Sequence, residues 1–380
     1  MSRGSDIFSR EIKTIPNQFA KRQIPWPKWR RPLRFNTFVR IKAIGNHRLL
    51  LFFFILVGIG IVPLSSFAQE VDPGHHYGLG PFQIRSQSPA HSLRLSMPPM
   101  VPGKIIPGRF TLWLGGNWTN TFADQKNYLL DYEMADLNAV VGYGITPRLF
   151  VSLGYDRRHY FGGAMDGLIR EWHDLLNIDQ QGRNDVPRDQ ARIIFYDDDE
   201  NITADITDID RLESTGISLS TQYILHHGTD LWPAISLSGI LRYGINTPDG
   251  KDNDEPIDFG VSLGLSKKWA KHWYTYFSTG LTYYGQNEYL GLLLEESILS
   301  ATLGIQWRFR PDISIIAQHL VNEGAVENFG KLSNPSVEGV FGFKWQAKNL
   351  GVVEFGIIEN ISTHVNGPDF GWHLGYTYPF

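Results

Sequence analysis

From 370 to 380 every second residue is large and apolar or aromatic: Phe370, Trp372, Leu374, Tyr376, Tyr378 and Phe380, with Gly371, His373, Gly375, Thr377 and Pro379 between them. A period of two puts those six on one face of a β-strand, because successive side chains point to opposite sides. The same alternation runs through 217–225, 257–265 and 299–307, each time with small or polar residues in the gaps. Twelve strands are predicted in this way, at 109–120, 135–146, 148–156, 215–226, 231–244, 257–267, 272–285, 297–308, 313–320, 337–345, 350–359 and 370–380. Several reach the roughly ten residues that a tilted strand needs to cross a bilayer. Connections alternate between short (146–147, 226–230, 268–271, 309–312, 346–349) and long (121–134, 157–214, 245–256, 286–296, 321–336, 360–369). Trp232, Trp269, Trp273, Trp307 and Trp345 fall at the short-turn ends, and Trp118, Tyr155, Tyr243 and Tyr283 at the long-loop ends. Two aromatic girdles and one-sided short turns predict an all-β fold, a single transmembrane antiparallel up-and-down β-barrel of about twelve strands. The alternative, a soluble β-sandwich, calls for strands of about five or six residues and no such division of turns.

The amino-terminal third carries other signals. An apolar run at 49–62 is short for a membrane-spanning helix, follows a basic flank ending at Arg48, and exits through Pro63, Ser66 and Ala68. That layout predicts a signal peptide over 1–68 with a basic n-region and cleavage after Ala68; the competing reading is a short membrane anchor. The basic part is long, and a start at Val39 would leave a leader of ordinary length. Residues 1–48 hold twelve Lys and Arg against Asp6 and Glu11, so the rest of the chain carries a net charge of −14, which argues against nucleic acid as a partner. There is no cysteine, which excludes a disulfide framework, a thiol nucleophile and a Cys-ligated metal. Residues 69–108 are rich in Pro and Gly without alternation, and are expected either in the periplasm or inside the barrel as a plug. The barrel itself is assigned to 109–380.

Candidate chemistry is thin. The inward faces are mostly Gly and Ser, with Arg242 and Asp258 toward the outer rim, Lys344 and Glu354 toward the inner, and Arg308 on the same phase. Arg242 and Asp258 are expected to pair. In the longest loop, 157–214, the residues Leu168, Ile169, Trp172, Leu175 and Leu176 recur at helical spacing behind Asp166, predicting one short amphipathic helix capped by Asp166 whose apolar face meets the barrel mouth, the inner wall or the outer leaflet. It is expected to cover or constrict the mouth, with plain loop packing the alternative. Gly260-Val261-Ser262-Leu263-Gly264 matches a nucleophile elbow, but Ser262 sits mid-strand, where no strand-to-helix turn can expose it. His319 on the lipid side would suit a lipid hydrolase only with a facing Ser, and a straight register sets Ala301 opposite it. His75-His76 has no third ligand nearby. Asp197-Asp198-Asp199-Glu200 with Asp205, Asp208 and Asp210 lacks calcium-loop spacing and reads as a solvated face or a loose cation site. No metal and no cofactor are expected.

Three segments carry a likeness. Pro81-Phe82-Gln83-Ile84-Arg85-Ser86-Gln87-Ser88-Pro89, the run 166–174 (DGLIREWHD) and the run 182–188 (GRNDVPR) resemble an uncharacterised Gram-negative outer-membrane family known only as a domain of unknown function. The last strand resembles the carboxy-terminal signal by which outer-membrane barrels are recognised for assembly, with Pro379 a departure. The resemblance implies a location and a fold, with outer-membrane lipids, lipopolysaccharide and the barrel-assembly machinery as partners, and no activity. The Gly- and Ser-lined interior, not the resemblance, motivates the expectation of a passive channel or transporter for small polar solutes, and no enzyme is expected. A sealed barrel displaying its longest loop for binding or envelope structure is the alternative, and a lipid-modifying enzyme comes last.

Overall fold

A computed structural model describes residues 77–380, apart from 177–182, 247–256, 361–364 and positions 190, 198, 208, 210–211, 286–287, 290, 348–349 and 380. The leader, His75-His76, Asp198, Asp208, Asp210, Phe380 and the Leu176 side chain lie outside the described residues. Twelve long strands make up the described wall: β1 (Phe110–Gln125), β2 (Tyr128–Gly144), β3 (Leu149–Phe161), β4 (Glu213–His227), β5 (Ala234–Asn246), β6 (Ile257–Ala270), β7 (Trp273–Tyr283), β8 (Ser297–Trp307), β9 (Ile313–Asn322), β10 (Ser336–Ala347), β11 (Gly351–Glu359) and β12 (Phe370–Pro379). Each pairs antiparallel with its sequence neighbour, and β12 pairs with β1, from Thr111 opposite Pro379 to Asn120 opposite Phe370, so the sheet closes on itself. Closure removes both sheet edges, which is what hydrocarbon demands of a backbone with no water to bond.

The two faces of the wall separate as the alternation predicts. Leu137, Leu153, Leu219, Leu303, Phe341 and Leu374 point outward and are exposed, while Ser236, Ser238, Ser266, Gln306, Ser314 and Gln318 point inward and are buried. A sandwich would have covered the outer row with a second sheet. Here it stands open, and the nine girdle Trp and Tyr residues named above are exposed with it. The outside is that of a membrane-spanning barrel.

The connection expected at 121–134 is strand instead. β1 and β2 run on past the wall and meet at Lys126-Asn127, and the last residues of β1 and the first of β2 are buried almost without a break. Both faces are covered there, so the period of two disappears from the sequence. A small loop hairpin, Arg192–Tyr196 with Ile202–Ile206, adds to this extension through Tyr128–Asp131.

The loop helix α1 (Asp166–Leu176) forms but does not cover the mouth. Its buried residues, Ile169 with half-buried Trp172, pack on Ile357, Phe370 and Trp372, which belong to the outward face of β11 and β12. Trp172 Nε1 donates to Glu359 at 2.9 Å. Leu168 (45% exposed) and Leu175 (76%) face away from the protein. Asp166 does not act as a simple cap: its carboxylate takes Arg183 at 2.5 Å and the Asp189 N–H at 2.8 Å. Arg183 also holds Asp369 at 2.5 Å and Asn120 at 2.7 Å, above the Phe122 ring. The helix is thus clamped to the outer rim from outside.

Residues 77–108 pass through the barrel. One limb rises from Tyr77, beside His227 at the short-turn end, to Ser88. A 3-10 turn at His91–Leu93 reverses it under the long loops, where His91 Nε2 meets the Glu323 carbonyl at 2.7 Å. The second limb descends past Gly260 and Gly264 to Ile105 and joins β1 where Gly108 N–H bonds the Gly144 carbonyl.

Candidate functional site

A buried chain with no sheet ladder must find other partners for its N–H and C=O groups. The inner loop finds them on wall side chains. Going up, Leu79 N–H donates to Gln306, Gly80 N–H to Tyr276, Lys344 Nζ donates to the Pro81 carbonyl at 2.7 Å, and Gln318 to the Phe82 carbonyl. Glu338 receives Ser86 Oγ and the N–H groups of Gln87 and Ser88. Coming down, Ser214 donates to the Leu93 carbonyl, Leu95 N–H to Asp258, and Gln222 to the Val101 carbonyl. Phe82 and Ile84 complete the contact with Ile316, Leu320, Val340 and Ile358, one of several apolar patches on the inner wall.

An ionic core lies toward the outer rim, level with the long-loop aromatic girdle. Arg85 bonds Asp136 at 2.5 Å and reaches Asp156 at 3.3 Å, Arg242 bonds Asp156 at 2.8 Å, and Arg158 stands 3.4 Å from Asp136. Arg158 also donates to the carbonyls of Ser86, His91 and Ser92, and Asp136 takes Gln87, Asn117 and Asn138 as well. Arg94 is paired with Asp258. Among these contacts three arginines (85, 158, 242) share two aspartates. Buried charges held this way are costly to separate one by one.

Above the core the mouth is shut by apolar packing. Ala90 and Leu93 from the turn meet Leu130, Tyr132, Ile193, Phe195, Leu212, Leu294, Val326 and Leu332 from the strand extensions and loops. His91 is buried among these groups, and burial lowers its pKa to about 4; the Glu323 carbonyl opposes that shift and Arg158 adds to it. Below the core the loop packs mainly toward β6–β11 and leaves a cavity of about 340 Å³ along β1–β5. Its ceiling is Arg85, Asp156 and Arg242, and its lower end is marked by half-exposed Leu79, Met100 and Val101.

The inward residues expected from the sequence fare differently. Lys344 and Glu354 face each other in register and pair at 2.5 Å, and Trp113 and His373 add to Glu354. Arg242 and Asp258 are also opposite in register, but each turns to another partner: Arg242 to Asp156, Asp258 to Arg94. The expected pair does not form, because the inner loop brings in a closer cation. Arg308 lies past the end of β8, half exposed, donating to the Pro311 carbonyl and to Gln346, so it belongs to the rim turn and not to the lumen. On β12, Phe370 and Trp372 lie under α1, Leu374 is exposed, and Tyr376 donates to the Leu350 carbonyl.

Sequence reasoning missed Arg85, Arg94, Asp136, Asp156, Arg158 and Glu338 as site residues. A signal was present in part, since Asp136 and Asn138 share one face of the strand predicted at 135–146 and Asp156 ends the one predicted at 148–156, but Arg158 fell in the loop predicted at 157–214. The other motifs carry no chemistry. Ser262 is buried in mid-strand opposite Ser238 and Gly280. His319 is exposed on the outer face opposite Leu303, not Ala301, because the β8–β9 register is offset from a straight hairpin by the turn at 308–312. Asp197 is used by its own turn through Asp199 and Asn201, and Asp205 by Arg192. Among the described residues no group of three side chains could hold a metal.

Such an architecture, a closed twelve-stranded barrel threaded by its own amino-terminal segment, defines a class of membrane-spanning β-barrels. Residues 60–380 match the DUF3187 family, proteins of unknown function, and the chain belongs to that family. No curated protein is similar to it in sequence. Among solved structures, it is similar to the COG4313 outer membrane channel from Pseudomonas putida F1 (11% identity, 74% of this chain and 100% of that one, TM-score 0.46). It is also similar to the KdgM porin in complex with disordered oligogalacturonate (6%, 71% and 99%, 0.38) and to the P. putida toluene transporter TodX (11%, 72% and 91%, 0.36). At that distance, what those proteins carry says nothing about what this one carries.

Proposed function

We propose that the protein is a passive channel for small polar solutes in the outer membrane, closed at rest by residues 77–105. The observation behind this reading is how the inner loop is held. It fills the lumen through side-chain contacts and shares no ladder with the wall, so it can shift while every strand pair stays intact. Gly260 and Gly264 fit the same picture: a Cβ on Gly260 would run into Met97, and one on Gly264 into the Met100 carbonyl. The small inward residues make room for a segment as much as for water. Outer-membrane lipids, lipopolysaccharide and the barrel-assembly machinery are the partners proposed with it, and no catalytic role is assigned. A sealed barrel is the second reading, and the apolar packing over the mouth is what favours it.

The test uses the absence of native cysteine. Met97→Cys with Gly260→Cys should form a disulfide that tethers the descending limb to β6. In planar bilayers the wild type should open intermittently, the oxidised variant should be silent, and reduction should restore the openings. Arg85→Ala with Arg94→Ala should open more often. Silence of every form, with circular dichroism showing an intact barrel, rejects the channel in favour of the sealed barrel.

A further inference from the structure

The arginine ceiling of the 340 Å³ cavity faces a space whose walls could hold a solute. We propose that this cavity is a binding site for a small organic carboxylate with a ring or other apolar body. The inference deepens the channel reading and rests on it for the route by which such a solute leaves.

Three observations carry it. First, size: about 340 Å³ is at the low end of the roughly 300–1,000 Å³ typical of ligand pockets, enough for one small molecule. Second, charge: Arg85 and Arg242 both line the cavity ceiling and share the carboxylate of Asp156, with Arg85 reaching Asp136 as well. Guanidinium groups at the edge of a cavity favour an incoming carboxylate, which they can bond in charge-assisted fashion. Third, an unused donor: Arg85 is buried, lines the cavity, and its Nε has no hydrogen-bond partner. Its two terminal nitrogens are held by Asp136 and Asp156, and a carboxylate that displaces one of these would find Nε–H unused.

The rest of the wall sets the body of the ligand. Trp113 and Phe150 are half-buried cavity residues and Ile240 also lines the cavity, which suits a ring or short apolar chain. Ser218 and Gln222 add polar atoms lower down. A molecule with its carboxylate at Arg85 and Arg242 and its body along Trp113 and Phe150 satisfies both halves at once. Held there, directly beneath the core that fastens the inner loop, it would compete with Asp136 and Asp156 for the guanidinium groups.

Calorimetry of the full chain in detergent tests this with benzoate as probe and benzyl alcohol as its neutral counterpart. Benzoate should bind at least about tenfold more tightly than benzyl alcohol, the margin of one charge-assisted hydrogen bond. Arg85→Gln should erase that margin by weakening benzoate alone. Val140→Phe, which fills the cavity from β2 without touching the arginines, should weaken both probes, and it keeps the test decisive if the Arg85 variant fails to fold. Equal binding of the two probes, unchanged benzoate affinity in either variant, or no binding at all overturns the site. Benzoate binding by a protein that never conducts supports the site and removes only the channel. Conduction without benzoate binding overturns the site and leaves the channel standing.

Discussion

Arg183 shows what single residues do here. It is almost wholly buried and holds Asp166, Asp369 and Asn120 together over the Phe122 ring. Taking away the cation leaves two buried carboxylates without their counter-charge, a loss of about 3–5 kcal/mol for a buried pair broken from one side. Arg183→Met should therefore release the 162–190 segment from the rim, seen as new protease cleavage there while the barrel fragment persists. Adding Asp166→Asn and Asp369→Asn should recover much of the protection, because the charges stranded by the first change are gone. Unaltered cleavage in the single variant would mean that the clamp holds without its arginine. The same residue explains why the 182–188 run mattered: with Asp166 it joins two of the segments that carried the family likeness, and the third, 81–89, supplies Arg85, Ser86 and Gln87 to the core.

At the level of elements, what the sequence reveals follows the environment of each face. Strands with hydrocarbon on one side and a packed lumen on the other alternate cleanly, and all twelve were legible, most to within a few residues. The β1–β2 extension was not, because cap residues bury both its faces and nothing forces a polar position. The inner loop had no period to read either, since neither strand nor helix imposes one on it. Helix α1 was legible as a helix and misread in its placement. Its apolar residues divide: Ile169 is fully buried, whereas Leu168 and Leu175 lie open on the outer rim. The spacing alone cannot say which half meets protein. That division predicts unequal mutational costs. Ile169→Ala should destabilise the docked loop by about 2–4 kcal/mol, as for a large buried aliphatic side chain. Leu175→Ala should leave urea resistance in detergent within about 0.5 kcal/mol of the wild type. Equal costs would place both residues in the same surroundings and contradict the docking on β11 and β12.

For the whole molecule, the turn of the inner loop carries an acid-sensitive group, His91. Its imidazole is buried at the turn, with Nδ1 beside Ser88 Oγ and Nε2 at the Glu323 carbonyl, and burial lowers its pKa to about 4 from an ordinary 6.5. The folded state therefore takes up this proton less readily than the unfolded chain. The contribution of neutral His91 is complete above about pH 6.5 and is lost as pH falls toward 4, by up to about 3 kcal/mol at about 1.4 kcal/mol per unit. Glu295 works the other way. Burial first, then Glu327, Glu323 and Glu296, raise its pKa, so protonation relieves the outer loops in acid. That group is exposed and screened by solvent, but Asp131 in the strand extension, pushed up to about 7 by burial, gains from acid as well, so the share of His91 is read from the difference between the wild type and a His91 variant. Unfolding midpoints of the detergent-solubilised protein should therefore fall between pH 7 and pH 4 by more in the wild type than in His91→Gln. If the two proteins lose stability in parallel over that range, the proton is taken up elsewhere and the turn at 91–93 does not govern closure.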